Sequence, residues 1–162
     1  MAETDDAALR GQLVALLRGG QAHATLSDAV ADFPPDRIHE RPAGTPYSAW
    51  QLLEHIRITL RDLLEFATNS EYVELEWPAS YWPKNARPGP DESWNATVKA
   101  IQADMKSFEA LVHSPDSNLY AAIPRGKNDE TLLREVLLAA DHTSYHVGEL
   151  ILLRRVLGIW KS

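Results

Sequence analysis

His142 and His146 stand four residues apart in Ala140-Asp141-His142-Thr143-Ser144-Tyr145-His146-Val147-Gly148-Glu149-Leu150. The segment has helical periodicity. On a helix, residues i and i+4 share a face with their Cβ atoms roughly 5–6 Å apart. Two imidazoles so placed can grip a single ion. The pair also falls on an apolar stripe with Leu138, Leu150 and Leu153, so two polar rings sit where core is expected and need partners there. A third histidine, His55, lies on a stripe with Leu52, Thr59, Leu63 and Phe66. Three neutral imidazoles from two packed helices would suit one divalent ion, Zn²⁺ or Ni²⁺, and leave positions open for water or substrate. A core hydrogen bond is the alternative reading for each ring.

Several familiar metal sites are excluded. A zincin protease needs glutamate directly after the first histidine of its pair, and Thr143 stands there. A ferritin-like di-metal centre needs glutamate three residues before a histidine, and no histidine of this chain has one. Glu149, three residues after His146, is a candidate acceptor for a ring N–H or a candidate base. A solvated charge at the face boundary is the alternative. His23, on the stripe of the first helix, is a candidate acid–base or substrate contact, with a core hydrogen bond as its alternative. His39 and His113 fall in or beside loops and are assigned no chemistry.

The elements that must position these residues read as four helices. The first is expected from about Asp5 to Ala31, with Leu9, Leu13, Leu16, Gly20, His23, Ser27 and Val30 on one stripe. Gly19-Gly20 in its middle costs about 1 kcal/mol per glycine against alanine, which predicts a kink or a close approach there. The second helix starts at Ser48, where Ser48-Ala49-Trp50-Gln51 fits a capping box, and runs to about Asn69. Its apolar face is Leu52, Leu53, Ile56, Leu60, Leu63, Leu64 and Ala67. The third spans about Asp91 to Val112, with Trp94, Val98, Ile101, Met105, Phe108 and Leu111 or Val112 inward. The fourth runs from about Glu130 to Leu157. No alternating β-branched run argues for a sheet. The connections, 32–47, 70–90 and 113–129, exceed the two to eight residues usual in simple up-down bundles. They are long enough to cross the bundle ends, so sequence neighbours need not pack together. Trp77, Tyr81 and Trp82 in the middle connection are placed to wall a pocket, to plug the bundle end or to form an oligomer contact.

Composition bounds the function. A chain of 162 residues with 44% hydrophobic content is expected to form one domain over residues 1–162 with a real core. The net charge of −7 argues against nucleic acid and against an anionic membrane surface. The acidic start, Met1-Ala2-Glu3-Thr4-Asp5-Asp6, lacks the pattern of a secretory signal. No apolar run is long enough to predict a membrane span, and a cytoplasmic location is the default expectation. There is no cysteine, which excludes disulfides, thiolate ligands and a protein-thiol nucleophile.

Taken together, three segments resemble the DinB superfamily, in particular its DinB-like metal-binding bundles. They are Pro46-Tyr47-Ser48-Ala49-Trp50-Gln51-Leu52-Leu53-Glu54-His55, the stretch from Asp141-His142 to His146-Val147-Gly148-Glu149-Leu150, and Gly19-Gly20-Gln21-Ala22-His23. The likeness covers nearly the whole chain. It implies an all-α fold, a four-helix bundle with long crossover connections, often dimeric. It implies a divalent metal on His55, His142 and His146. It does not fix a reaction. Some relatives are thiol-dependent transferases or isomerases that use low-molecular-weight thiols, so the resemblance implies a small-molecule substrate and such a thiol as a partner. A hydrolase and a non-catalytic stress-associated bundle are the other two readings. Glu149 stands where relatives often carry glutamine.

Overall fold

The computed structural model describes residues 2–88 and 93–160. Five helices, named here in chain order, build it: α1 (Ala2–Arg18), α2 (Leu26–Val30), α3 (Ala49–Thr68), α4 (Trp94–His113) and α5 (Leu132–Val156). A single 3₁₀ turn, Ala79–Tyr81, interrupts the connection from α3 to α4. No strand occurs among the described residues; Ala122 and Thr131 form one isolated bridge just before α5.

The four long helices form a bundle whose spatial order differs from the sequence order. Both α4 and α5 pack against α1, and both pack against α3. The helices therefore run α1, α4, α3, α5 around the bundle, with α1 diagonal to α3 and α4 diagonal to α5. The connections 19–48 and 114–131 are long because each must carry the chain across a bundle end. One core joins all the helices, built on Leu13, Leu17, Leu53, Ile56, Ile101, Phe108, Val136 and Leu150.

Three of the four sequence-derived helices stand near their expected bounds because their caps are local. Ser48 Oγ accepts from Gln51 N at 3.3 Å and Gln51 Oε1 accepts from Ser48 N at 3.1 Å, the reciprocal box that starts α3. Thr131 caps α5, which starts at Leu132, two residues later than expected, and the Glu130 carbonyl instead accepts from Ile123 N–H at 2.7 Å. Ser93 caps α4; the expected start at Asp91 lies outside the described residues.

The first helix is a correction. Asp5 to Ala31 is not one helix: α1 ends at Arg18, and Gly19 and Gly20 follow with φ of +68° and +79°. Two successive left-handed residues cannot continue a right-handed helix, and glycine adopts them without a Cβ penalty. The chain restarts as α2 at Thr25, which forms its own capping box with Asp28. The expected stripe fails with it. Leu16 is exposed, whereas Val14 is buried beside Leu13 and Leu17. His23 is left in the turn between α1 and α2, exposed. Buried Arg154 of α5 fixes α2 in place by donating to the carbonyls of Ala29 (2.8 Å) and Ala31 (2.7 Å).

The contact between α3 and α4 is partly polar. Buried Glu54 accepts from Thr97 Oγ1 (2.6 Å) and from Arg57, and buried Asp104 pairs with Arg61. Of the other buried residues of α3, all are apolar except His55, Thr59 and Asp62. Among the described residues no helix is long and apolar enough to cross a membrane.

Candidate metal centre

α3 brings His55 and α5 brings His142 and His146 to one point. His142 Nε2 lies 3.2 Å from His55 Nε2 and 3.1 Å from His146 Nε2. His55 and His146 are buried and His142 is half-buried. Bonds of about 2.0–2.1 Å to a metal place two nitrogens about 3.3 Å apart at tetrahedral angles and about 2.9 Å apart at right angles. The observed spacings fall between those limits.

The outer ring nitrogens explain why the inner ones converge. His55 Nδ1 donates to the Tyr81 carbonyl at 2.7 Å, and His146 Nδ1 donates to Glu149 Oε2 at 2.6 Å. Each bond places the proton on Nδ1, so both Nε2 atoms carry lone pairs. His142 Nε2 stands within hydrogen-bonding distance of both, so it either donates to one of them or, with its proton on Nδ1, adds a third lone pair for a shared cation. Burial pushes the His55 pKa down, and burial with its two neighbouring rings pushes His142 down to about 3. Rings held neutral are the form that ligates metal. The donor set therefore fits a divalent ion, and His55, His142 and His146 could hold one. Among the described residues no carboxylate joins the three donor atoms, and these three donors alone would leave a position of a tetrahedral ion open.

Two segments outside α5 brace the rings. The Trp82 indole stacks on His55 with ring centres 4.1 Å apart and planes 3° from parallel. Tyr47, immediately before the cap of α3, stacks on Trp82 at 5.2 Å, and its hydroxyl donates to Glu149 Oε1. Burial, then the bond to Glu149, raises the Tyr47 pKa, so it stays a donor. The loop that carries Tyr81 and Trp82 is tied to α3. Tyr72 and Tyr81 hydroxyls donate to the two oxygens of buried Asp62, at 2.9 and 2.6 Å. Asp62 lies seven residues after His55, two turns along the same face. The contacts run from Glu149 through Tyr47 and Trp82 to His55, linking α5 to α3 around the three nitrogens.

The histidines read from sequence are thus brought together, and Glu149 sits against His146 as a ring acceptor. His23 is not brought to them. It lines a separate cavity with Thr143 and Val147, about 100° around α5 from the histidines that each of these follows. Tyr47, Asp62 and the Tyr81 carbonyl were not singled out from sequence. Tyr47 does stand within the Pro46–His55 segment that carries the family likeness, and the aromatic content of 70–90 signalled the wall but not its place.

A helical bundle in which two packed helices present three convergent imidazoles, two buried and one half-buried, defines a class of bundle that could hold a metal ion. A sequence profile of the DinB superfamily matches residues 20–150, a span that contains all three histidines. The chain belongs to the DinB superfamily. No curated protein and no solved structure matches it.

Proposed function

We propose that this protein is a divalent-metal-dependent enzyme that transfers a low-molecular-weight thiol to an electrophilic small molecule, as in detoxification or stress response. The observation that carries the reading is the convergence of three Nε2 atoms with no fourth donor among the described residues. Zn²⁺ or Ni²⁺ suits an all-imidazole set. Such an ion, when bound, acts as a Lewis acid and lowers the pKa of a thiol or water that it contacts. The chain has no cysteine, so the sulfur nucleophile must arrive as a cosubstrate. In the overall change the thiol loses its proton, a carbon–sulfur bond forms, and the leaving group departs with its electron pair.

The side chains around the histidines have separable roles. Glu149 orients His146 and keeps its proton on Nδ1, and Tyr47 holds Glu149. Trp82 covers one face of His55 and excludes water from it. Exposed Tyr145, edge-on to His146 at 4.9 Å, offers an apolar contact where a substrate would approach. Exposed Leu152 and Val156 continue that side of α5 and support a homodimer as the working assembly. The net charge of −7 favours small-molecule partners over nucleic acid or an anionic membrane.

The test is turnover by metal-reconstituted protein with a panel of low-molecular-weight thiols and halogenated or epoxide electrophiles. Thiol-dependent turnover that disappears in His142→Ala supports the reading. Turnover of esters or amides without thiol would replace it with metal-dependent hydrolysis. Inactivity on both, with a large fall in melting temperature on chelation, would make the centre structural.

A further inference from the structure

α5 is apolar on two sides. Its inward side carries Val136, Ala139, Leu150 and Leu153 into the core. Its outward side departs from the polar face of an ordinary surface helix. Four of the eight large hydrophobic side chains that stand exposed among the described residues lie on it: Leu137, Tyr145, Leu152 and Val156, each between 43% and 65% exposed. One exposed apolar side chain is ordinary, but a row of them marks a contact surface. With exposed Asp141, Gly148 and Arg155 they follow steps of three and four, a stripe roughly 28 Å long at about 1.5 Å per residue. That spacing is the seam of two packed helices.

Gly148 sits in the middle of the stripe. A glycine inside a helix costs about 1 kcal/mol against alanine. Nothing within the chain requires this one, because a Cβ built there meets nothing within 4 Å. A bare stretch of backbone on an open helix face lets a second helix come close.

The charges identify that helix. Asp141 stands seven residues before Gly148 and Arg155 seven after it, and neither side chain forms an ion pair among the described residues. A copy of α5 laid antiparallel on the stripe, with the two-fold axis beside Gly148, sets Asp141 of each chain against Arg155 of the other. Such self-complementarity is what an isologous contact needs. The same overlay brings Val156 of the second copy to an open depression lined by Arg134, Leu137, Leu138 and Asp141. Residues at i, i+3, i+4 and i+7 make the hole that receives one side chain of a facing helix. In a chain of net charge −7 most surfaces of two copies repel, whereas this stripe pairs its own charges.

We propose that two copies of this chain associate through α5, antiparallel and crossing at Gly148, with Asp141–Arg155 ion pairs at both ends of the contact. This gives the homodimer its contact face and rests on that reading. The two-fold axis keeps the same edge of each stripe on one side. Both histidine centres, which flank the stripe beyond Tyr145, therefore lie on the same side of the contact.

Sedimentation equilibrium of the full chain over a range of protein concentrations measures the association, with helix content by circular dichroism as the check on folding. Wild type is expected as a dimer. Asp141→Arg and Arg155→Asp each oppose like charges and should weaken the dimer at least about tenfold. The double variant, with the charges exchanged, should restore most of that loss. Gly148→Leu, where a Cβ has room in the single chain, should give a monomer of unchanged helix content. A wild-type dimer that Gly148→Leu leaves intact, or single charge variants that the exchange does not restore, would overturn the α5 contact and leave the homodimer standing. A wild type that is monomeric throughout would overturn both.

Discussion

His142 and Thr143 are consecutive residues on α5, and they belong to opposite kinds of site. Around His142 the outer nitrogens of the other two rings are bonded, Glu149 is bonded twice, and aromatic rings fix the planes. Around Thr143 the walls mix apolar residues such as Leu17, Met105 and Val147 with polar ones such as Gln102 and Ser144, and the buried hydroxyl is without a partner among the described residues. The first face is organised in advance, and its geometry is specified to a few tenths of an ångström by partners outside the three rings. The second is loosely specified. One helix can carry both because positions one residue apart point about 100° apart around its axis.

Substitutions that separate the two faces are the strongest probes. His142→Ala removes one of three donors and should abolish stoichiometric metal, an effect larger than the roughly 10–100-fold typical of losing an outer partner. Helix content, read by circular dichroism, should stay close to wild type. Glu149→Ala should weaken metal by that roughly 10–100-fold, because His146 loses the acceptor that fixes its tautomer. Competition with a chromogenic chelator measures it; unchanged affinity would mean that Glu149 is a bystander.

Acid should distinguish the faces next. In metal-free protein the folded-state pKa of His142 is about 3, against 6.5 for an unperturbed ring, and His55 is shifted the same way. Between those values the unfolded chain takes up protons that the folded chain refuses, so stability falls as pH drops through about 6.5 toward 3. Above 6.5 these groups add no further dependence. The melting temperature of metal-free wild type should therefore fall more between pH 7.5 and pH 5 than that of His142→Ala. Equal falls would contradict the neutral, buried state of that ring.

The smallest expected effect is at Tyr47. Tyr47→Phe keeps the stack on Trp82 and removes one hydrogen bond, worth about 0.5–1.5 kcal/mol, or roughly two- to tenfold in metal affinity. A loss as large as that of Glu149→Ala would mean that the hydroxyl, rather than the carboxylate, sets the geometry.

What could be read from sequence follows the range of the forces involved. The capping box at Ser48 and the i,i+4 pair on α5 are local patterns, and both stand where the pattern put them. His55 was legible because its stripe marked a buried face. The first helix misled because apolar spacing continued through Gly19-Gly20; the restart signal, Thr25 three residues before Asp28, was present and outweighed. The Tyr81 carbonyl, Trp82 and Tyr47 depend on where a long connection settles. That is decided by the bonds from Tyr72 and Tyr81 to Asp62, which join residues with no periodic relation.

The most direct test is metal content, by elemental mass spectrometry, of untagged protein purified without added metal and again after reconstitution with Zn²⁺ or Ni²⁺, beside His55→Ala. The account expects a stoichiometric divalent ion in the wild type that is lost in the variant. No metal after reconstitution, or full occupancy retained in His55→Ala, would contradict it and make the three rings a structural cluster.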